Sequence, residues 1–302
     1  MAHVCILRRP TARLLGALIV AVLALTAPGC KSKDKGRQAE NGSHSTVTVV
    51  MEPGGLLAIR TSAAEFEILE SGYIRASLIR NAKRVALDDP QTGAASSEGY
   101  PVVDGKPIED FVLDLTHARI ADYQSRVGPR GKRIEIGGRS SSRGDLEEQL
   151  TVDVYDDVPA LALASAAYKN TGRSTVKLDK VVSQQHRLNA SLVDAKVPAY
   201  ELWSFQGTSY EWGKDTIFRM SANFSQPNVM AAISPSGQGG GIPVVAFWTA
   251  TVGEAIGHAE TGPRVLSLPV NVERDQRIRV AVAEEPAATL QPGESYASPT
   301  RS

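Results

Sequence analysis

Leu150–Val182 reads LTVDVYDDVPALALASAAYKNTGRSTVKLDKVV, and how its middle is read decides the fold. Leu150 to Tyr155 alternates apolar and polar residues and stops at Asp156-Asp157. Ala160 to Tyr168 is alanine-rich and could pass for helix. Lys169-Asn170-Thr171-Gly172 has the composition of a hairpin turn, and Val176 to Val182 resumes alternation as a partner strand. The segment is therefore predicted to be a strand.

Outward from this stretch the same pattern repeats. Thr46 to Met51 alternates before Pro53-Gly54-Gly55 breaks it, and Arg133 to Ile136 stops at Gly137-Gly138. Val265 to Leu268 and Arg277 to Val282 follow suit. Period-two alternation puts one face on a core and one in water, as antiparallel sheets do. No window carries a 3.6-residue apolar stripe. The expectation is an all-β chain, a large antiparallel sandwich of two broad sheets, with Ser140-Ser141-Ser142 as a hairpin tip. No fixed-period repeat points to a propeller.

The chain has 302 residues, 42% of them hydrophobic, and equal numbers of basic and acidic side chains. A zero net charge with no run of one sign argues against a nucleic-acid partner. Arg8, Arg9 and Arg13 precede the apolar run Leu14 to Leu25, and small residues lead to Cys30. This order reads as an export signal over 1–30. The run is short for a spanning helix, the alternative anchor. Ala27-Pro28-Gly29-Cys30 resembles a lipobox, with Gly29 fitting and Pro28 atypical, so Cys30 is the expected lipidation site, with plain secretion as the alternative. Of the two cysteines, Cys5 lies in the n-region, so no disulfide is expected in the mature chain. Residues 31–45 read as a flexible tether, and 46–302 as the sandwich.

Chemistry-bearing motifs are sparse. Gly239-Gly240-Gly241 lacks the Lys-Ser/Thr and helix of a phosphate loop and reads as a hairpin. Gly-x-Ser-x-Gly and His-Glu-x-x-His are absent, and the five histidines are scattered, so no metal or cofactor is expected. His258 and Glu260 alternate on one strand and share a face, as an acid–base pair or a surface pair. Trp203 to Asp215 is richer. Trp203, Phe205, Tyr210 and Trp212 lie beside Gln206, Glu211, Lys214 and Asp215, a set suited to stacking on sugar rings and bonding hydroxyls.

Tyr155 to Leu163, Tyr168 to Gly172, Leu202 to Gly207, Gly240 to Val245, Trp248-Thr249, Gly257 to Glu260 and Val265 to Val270 come in an order that resembles a known family. The likeness is to the N-terminal region of bacterial α-galactosidases of glycoside hydrolase family 36, over most of 46–295. The resemblance implies a galactose-mutarotase-like β-supersandwich preceding a (β/α)8 barrel that carries the catalytic aspartates. Retaining hydrolysis needs two carboxyl groups about 5 Å apart, and a barrel needs roughly 250 residues. No barrel is read before Ser302, so the barrel is expected as a missing partner domain and no catalytic residue is assigned. Glu211, Asp215, Glu254 and Glu260 show no such pairing, and no α-galactoside hydrolysis is expected.

Trp203, Gln206, Trp212, Lys214, Asp215, Trp248, His258 and Glu260 are expected to gather at one end of the sandwich as a carbohydrate- or barrel-facing set. The implied ligand is an α-galactoside or another glycan. One alternative is an exported glycan-binding lipoprotein without turnover, held at the membrane through its lipid. Another is an aldose-epimerase-like enzyme using His186, His258, Glu201 or Glu260, although the Asn-x-x-x-His-x-Tyr-Phe-Asn motif of that group is missing.

Overall fold

The computed structural model describes residues 2–7, 45–90, 97–124, 130–208, 216–230, 241–259 and 265–298. Among them there is no α-helix, only strands and two short 3-10 turns, Leu115–His117 and Ala190–Leu192. The strands form an 11-stranded, a 9-stranded and a 5-stranded sheet, and every pairing is antiparallel. The expected two broad sheets are present, with a third, smaller one at the start of the domain.

That smaller sheet is a meander of Thr48–Glu52, Leu56–Arg60, Ala64–Ile68, Ile74–Arg80 and Lys83–Val85. Its entry is pinned where the tether reading ends. The Ser45 hydroxyl, the Thr46 N–H and the Thr46 hydroxyl all donate to Asp156 Oδ1 at 2.6–3.1 Å. One apolar core joins the sheets. Phe66 and Ile74 of the small sheet, Ile136, Val152 and Phe247 of the largest, and Val280 and Val282 of the third are all buried in one cluster.

The alanine-rich segment is a strand, Leu161–Asn170, with strictly alternating burial along most of its length. Its hairpin partner, however, is the preceding strand, Leu146–Tyr155. Val176–Leu188 lies in the other large sheet and pairs with Ile278–Glu284. The Lys169–Gly172 turn is thus a crossover between sheets. Its polar groups bond to distant segments: Asn170 Nδ2 donates to the Leu290 carbonyl at 3.0 Å, and the Thr171 N–H to the Asp145 carbonyl at 2.8 Å.

Gly137 and Gly138 do not end their strand, which runs Arg130–Ser140. Glycine at 138 makes room for a neighbour, because a Cβ there would lie 2.8 Å from Leu113 Cδ2. Ser140 to Ser142 form the expected hairpin tip, gathered on the Asp110 carboxylate by two hydroxyls and the Ser142 N–H. Those bonds hold the Asp110 carboxyl well below the usual carboxylate range, against the opposing effect of burial.

In the largest sheet Ala2–Leu7 forms a strand between Leu161–Asn170 and Gly253–His258, antiparallel to both. Cleavage of the expected export signal would vacate this place. The signal's apolar run, Cys30, and residues 31–44 of the tether lie outside the described residues.

Candidate functional site

Three strands at one edge of the largest sheet, Gly241–Trp248, Trp203–Thr208 and Thr216–Arg219, set the first candidate. Directly opposed residues of antiparallel strands share a face. The register opposes Trp248 to Trp203 and Trp203 to Arg219, so the three form one row. The row lies on the outer face. Trp203 is 41% exposed, whereas Ser204, Phe247 and Glu254, opposed one residue further along, are buried.

The Arg219 guanidinium sits 5.1 Å from the centre of the Trp203 ring and 2.9 Å from Glu201 Oε1. This joins cation–π contact to an exposed ion pair. Asp194, Val197, Thr249 and Thr251 line, with this row, a cleft of about 720 Å³. Aromatic faces, one cation, two carboxylates and two hydroxyls therefore converge on one concave surface.

Of the residues expected to gather here, Trp203 and Trp248 do. Gln206 does not: it is buried, donates to Ser204 Oγ and accepts from Asn228 Nδ2, both at 2.6 Å. His258 does not either. Trp248 is opposed to Gly253, at the start of the strand that His258 ends. Five residues at about 3.3 Å each separate those ends by roughly 17 Å. His258 is buried, with Nε2 3.2 Å from the Ser267 carbonyl. Trp212, Lys214, Asp215, Glu260, Glu211, Gly239 and Gly240 lie outside the described residues. Arg219, Glu201 and Asp194 were missed as cleft residues, because only strand register reveals that Arg219 lies beside Trp203.

A second constellation lies inside the sandwich. Tyr73, Asp88, His186 and Glu254 are all buried, at 0–2% exposure. They meet where the three sheets do. Tyr73 directly precedes Ile74–Arg80 of the small sheet, His186 belongs to Val176–Leu188, and Glu254 to Gly253–His258. Asp88 follows the small sheet and bridges to Leu188.

The Tyr73 hydroxyl donates to Asp88 Oδ1 at 2.6 Å and accepts from the Arg187 N–H at 2.9 Å. The Ala76 N–H donates to Asp88 Oδ2 at 2.7 Å. His186 Nδ1 faces two carboxylates, Asp88 Oδ1 at 3.3 Å and Glu254 Oε1 at 3.7 Å. Burial, reinforced by the Asp88 charge, pushes the Tyr73 hydroxyl well above the usual tyrosine range, so it stays a donor. Beside the centre, Arg187 pairs with Glu98 at 2.5 Å, and burial raises the Glu98 carboxyl despite that partner.

The four residues considered for an epimerase are not brought together as a set. Glu201 is at the outer cleft, His258 is bonded to the chain at the far end of its strand, and Glu260 is outside the described residues. His186 is joined by Asp88 and Glu254 instead. No sequence motif signals that meeting, because the three residues come from well-separated segments.

No protein-family model matches the chain, and no curated protein matches it. Among solved structures, the chain is similar to that of a provisionally assigned aldose 1-epimerase from Klebsiella pneumoniae subsp. pneumoniae MGH 78578. The identity is 12%, the TM-score 0.39, and the match covers 83% of this chain and 81% of that one.

Proposed function

We propose that this chain is a carbohydrate-binding β-sandwich that takes a glycan into the Trp203–Trp248 cleft without turning it over. The observation that carries the reading is the row Trp248–Trp203–Arg219 on an open sheet face, walled by Glu201 and Asp194. Indole faces stack on the apolar faces of sugar rings, and carboxylates and hydroxyls bond ring hydroxyls. An α-galactoside is the first ligand to try, on the family-36 resemblance described above. In that family's full-length enzymes hydrolysis belongs to a barrel. Export, with lipidation at Cys30, accompanies this proposal, and mass spectrometry of the mature N-terminus tests it.

Titration with a galactoside panel, followed by tryptophan fluorescence and calorimetry, tests the binding. Saturable quenching is expected, with Kd raised at least about tenfold in Trp203→Ala, the loss of one aromatic contact of about 1.4 kcal/mol. A panel without saturable binding, or a variant that binds like the parent, overturns it. No nitrophenol is expected from p-nitrophenyl α-galactoside.

A second reading, an aldose-epimerase-like enzyme, is favoured by His186 lying between two carboxylates, a set capable of acid–base work. The enclosure of that centre favours the binding reading, since a sugar would have to reach residues without solvent access. Catalysed mutarotation lost in His186→Gln would reverse the order.

A further inference from the structure

We propose that Asp88, His186 and Glu254 hold a divalent transition-metal ion, zinc first, that ties the three sheets together. The candidate donor atoms all lie within 4.8 Å of one another. Zinc binds nitrogen and carboxylate oxygen at about 2.0–2.2 Å, which sets tetrahedral ligands roughly 3.3–3.6 Å apart. His186 Nδ1 stands 3.3 Å from Asp88 Oδ1 and 3.7 Å from Glu254 Oε1. On these two edges the cluster closes on an ion with shifts of a few tenths of an ångström, and the third edge, Asp88 to Glu254, lies within 4.8 Å.

A proton satisfies the same geometry less well. An N–H···O bond prefers about 2.9–3.0 Å, and 3.3 Å is long for one. The single hydrogen on Nδ1 can serve one carboxylate, and two face it. Asp88 Oδ1 already accepts the Tyr73 hydroxyl. An Nδ1 lone pair within 3.7 Å of two carboxylate oxygens suits a cation that all three atoms share.

Charge points the same way. Burying carboxylates is costly unless they are paired or coordinate a metal. His186 is the only ion-pair partner of Asp88 among the described residues. A doubly charged cation supplies Asp88 with the charge partner that a neutral imidazole does not, and Glu254 joins as the third ligand. One imidazole with two carboxylates is a donor set that zinc accepts. The surroundings of Asp88 are those of an oriented ligand, since the Tyr73 hydroxyl bonds Oδ1 and the Ala76 N–H bonds Oδ2, fixing the carboxylate. Full burial makes the ion part of folding, taken up as the sheets assemble.

This inference does not depend on the glycan reading, because the cleft lies on the opposite face of the sheet, and either test can fail alone. The test uses the full chain produced with zinc in the medium. Plasma mass spectrometry after gel filtration should find about one zinc per chain. A strong chelator should lower Tm, and refolding with Co2+ should give the visible bands of a cobalt centre. Glu254→Gln, which keeps shape and removes charge, should cut bound zinc at least about tenfold. Protein that folds without metal, takes up neither ion on refolding and keeps its Tm in chelator overturns the proposal. So does Glu254→Gln with its zinc intact. The parent measurements decide the matter even if the variant fails to fold.

Discussion

Glu148 offers a test in which the protein's response to pH is worked out from one side chain. It lies on Leu146–Tyr155 opposite Tyr168, whose hydroxyl donates to Glu148 Oε1 at 3.2 Å. Burial raises its carboxyl from the ordinary 4.5 to about 8, with the Tyr168 bond opposing weakly. The folded chain therefore keeps a proton that the unfolded chain loses above about pH 4.5. The stability this group contributes is present in full below that pH, declines as pH rises and is gone above about 8. At about 1.4 kcal/mol per pH unit the ceiling is about 5 kcal/mol. Water entry as the group ionises brings the working figure to roughly 2–4 kcal/mol. Glu148→Gln has nothing to lose. Urea unfolding of parent and variant from pH 5 to 9 should show near-equal stability at pH 5 and the variant ahead by that amount at pH 9. The difference cancels every other titrating group. A difference that stays flat across the range refutes the reasoning, and one that grows toward low pH reverses its sign.

Two further perturbations bear on the frame. Tyr73→Phe removes the donor to Asp88 and leaves the Arg187 N–H without its acceptor. It should cost about 2–4 kcal/mol, a fall in Tm of roughly 4–8 °C by calorimetry, and a loss under about 1 kcal/mol would show that the bonds contribute little. Gly131→Ala places a Cβ 1.8 Å from the Val154 carbonyl oxygen. It should cost at least about 3 kcal/mol by overpacking or prevent folding, and a soluble variant with parental Tm would contradict the close approach of the two strands.

Strand content was legible because alternation is local. Leu150 to Tyr155 and Arg277 to Val282 each declare a buried and an open face within a few residues, and even alanine-rich Leu161–Asn170 kept that rhythm. Which strands meet was not legible. Lys169–Gly172 has hairpin composition, yet beside local bonds to Gly172 and Ser174 its Asn170 and Thr171 also bond segments far away in sequence. A turn's chemistry sets its local shape and leaves open which sheet the next strand joins. The outer cleft was half legible. Trp203 and Trp248 stood out as aromatics, while Arg219 and Glu201 acquire meaning from register. The inner centre was not legible at all, since Asp88, His186 and Glu254 share no motif and meet only once three sheets are closed.

The place of Ala2–Leu7 has a consequence for the order of events in the cell. Both of its pairing partners, Leu161–Asn170 and Gly253–His258, are synthesised after it. It has no partner until Leu161–Asn170 has emerged and is flanked on both edges only after Gly253–His258 follows, and pairings over such separations form slowly because long loops must close first. At a few to about twenty residues per second, that wait lasts many seconds. For the whole of it this segment lacks its strand partners and is open to whatever reads nascent chains. The export proposed above would set targeting and folding in competition for these six residues, with the late arrival of Gly253–His258 favouring targeting.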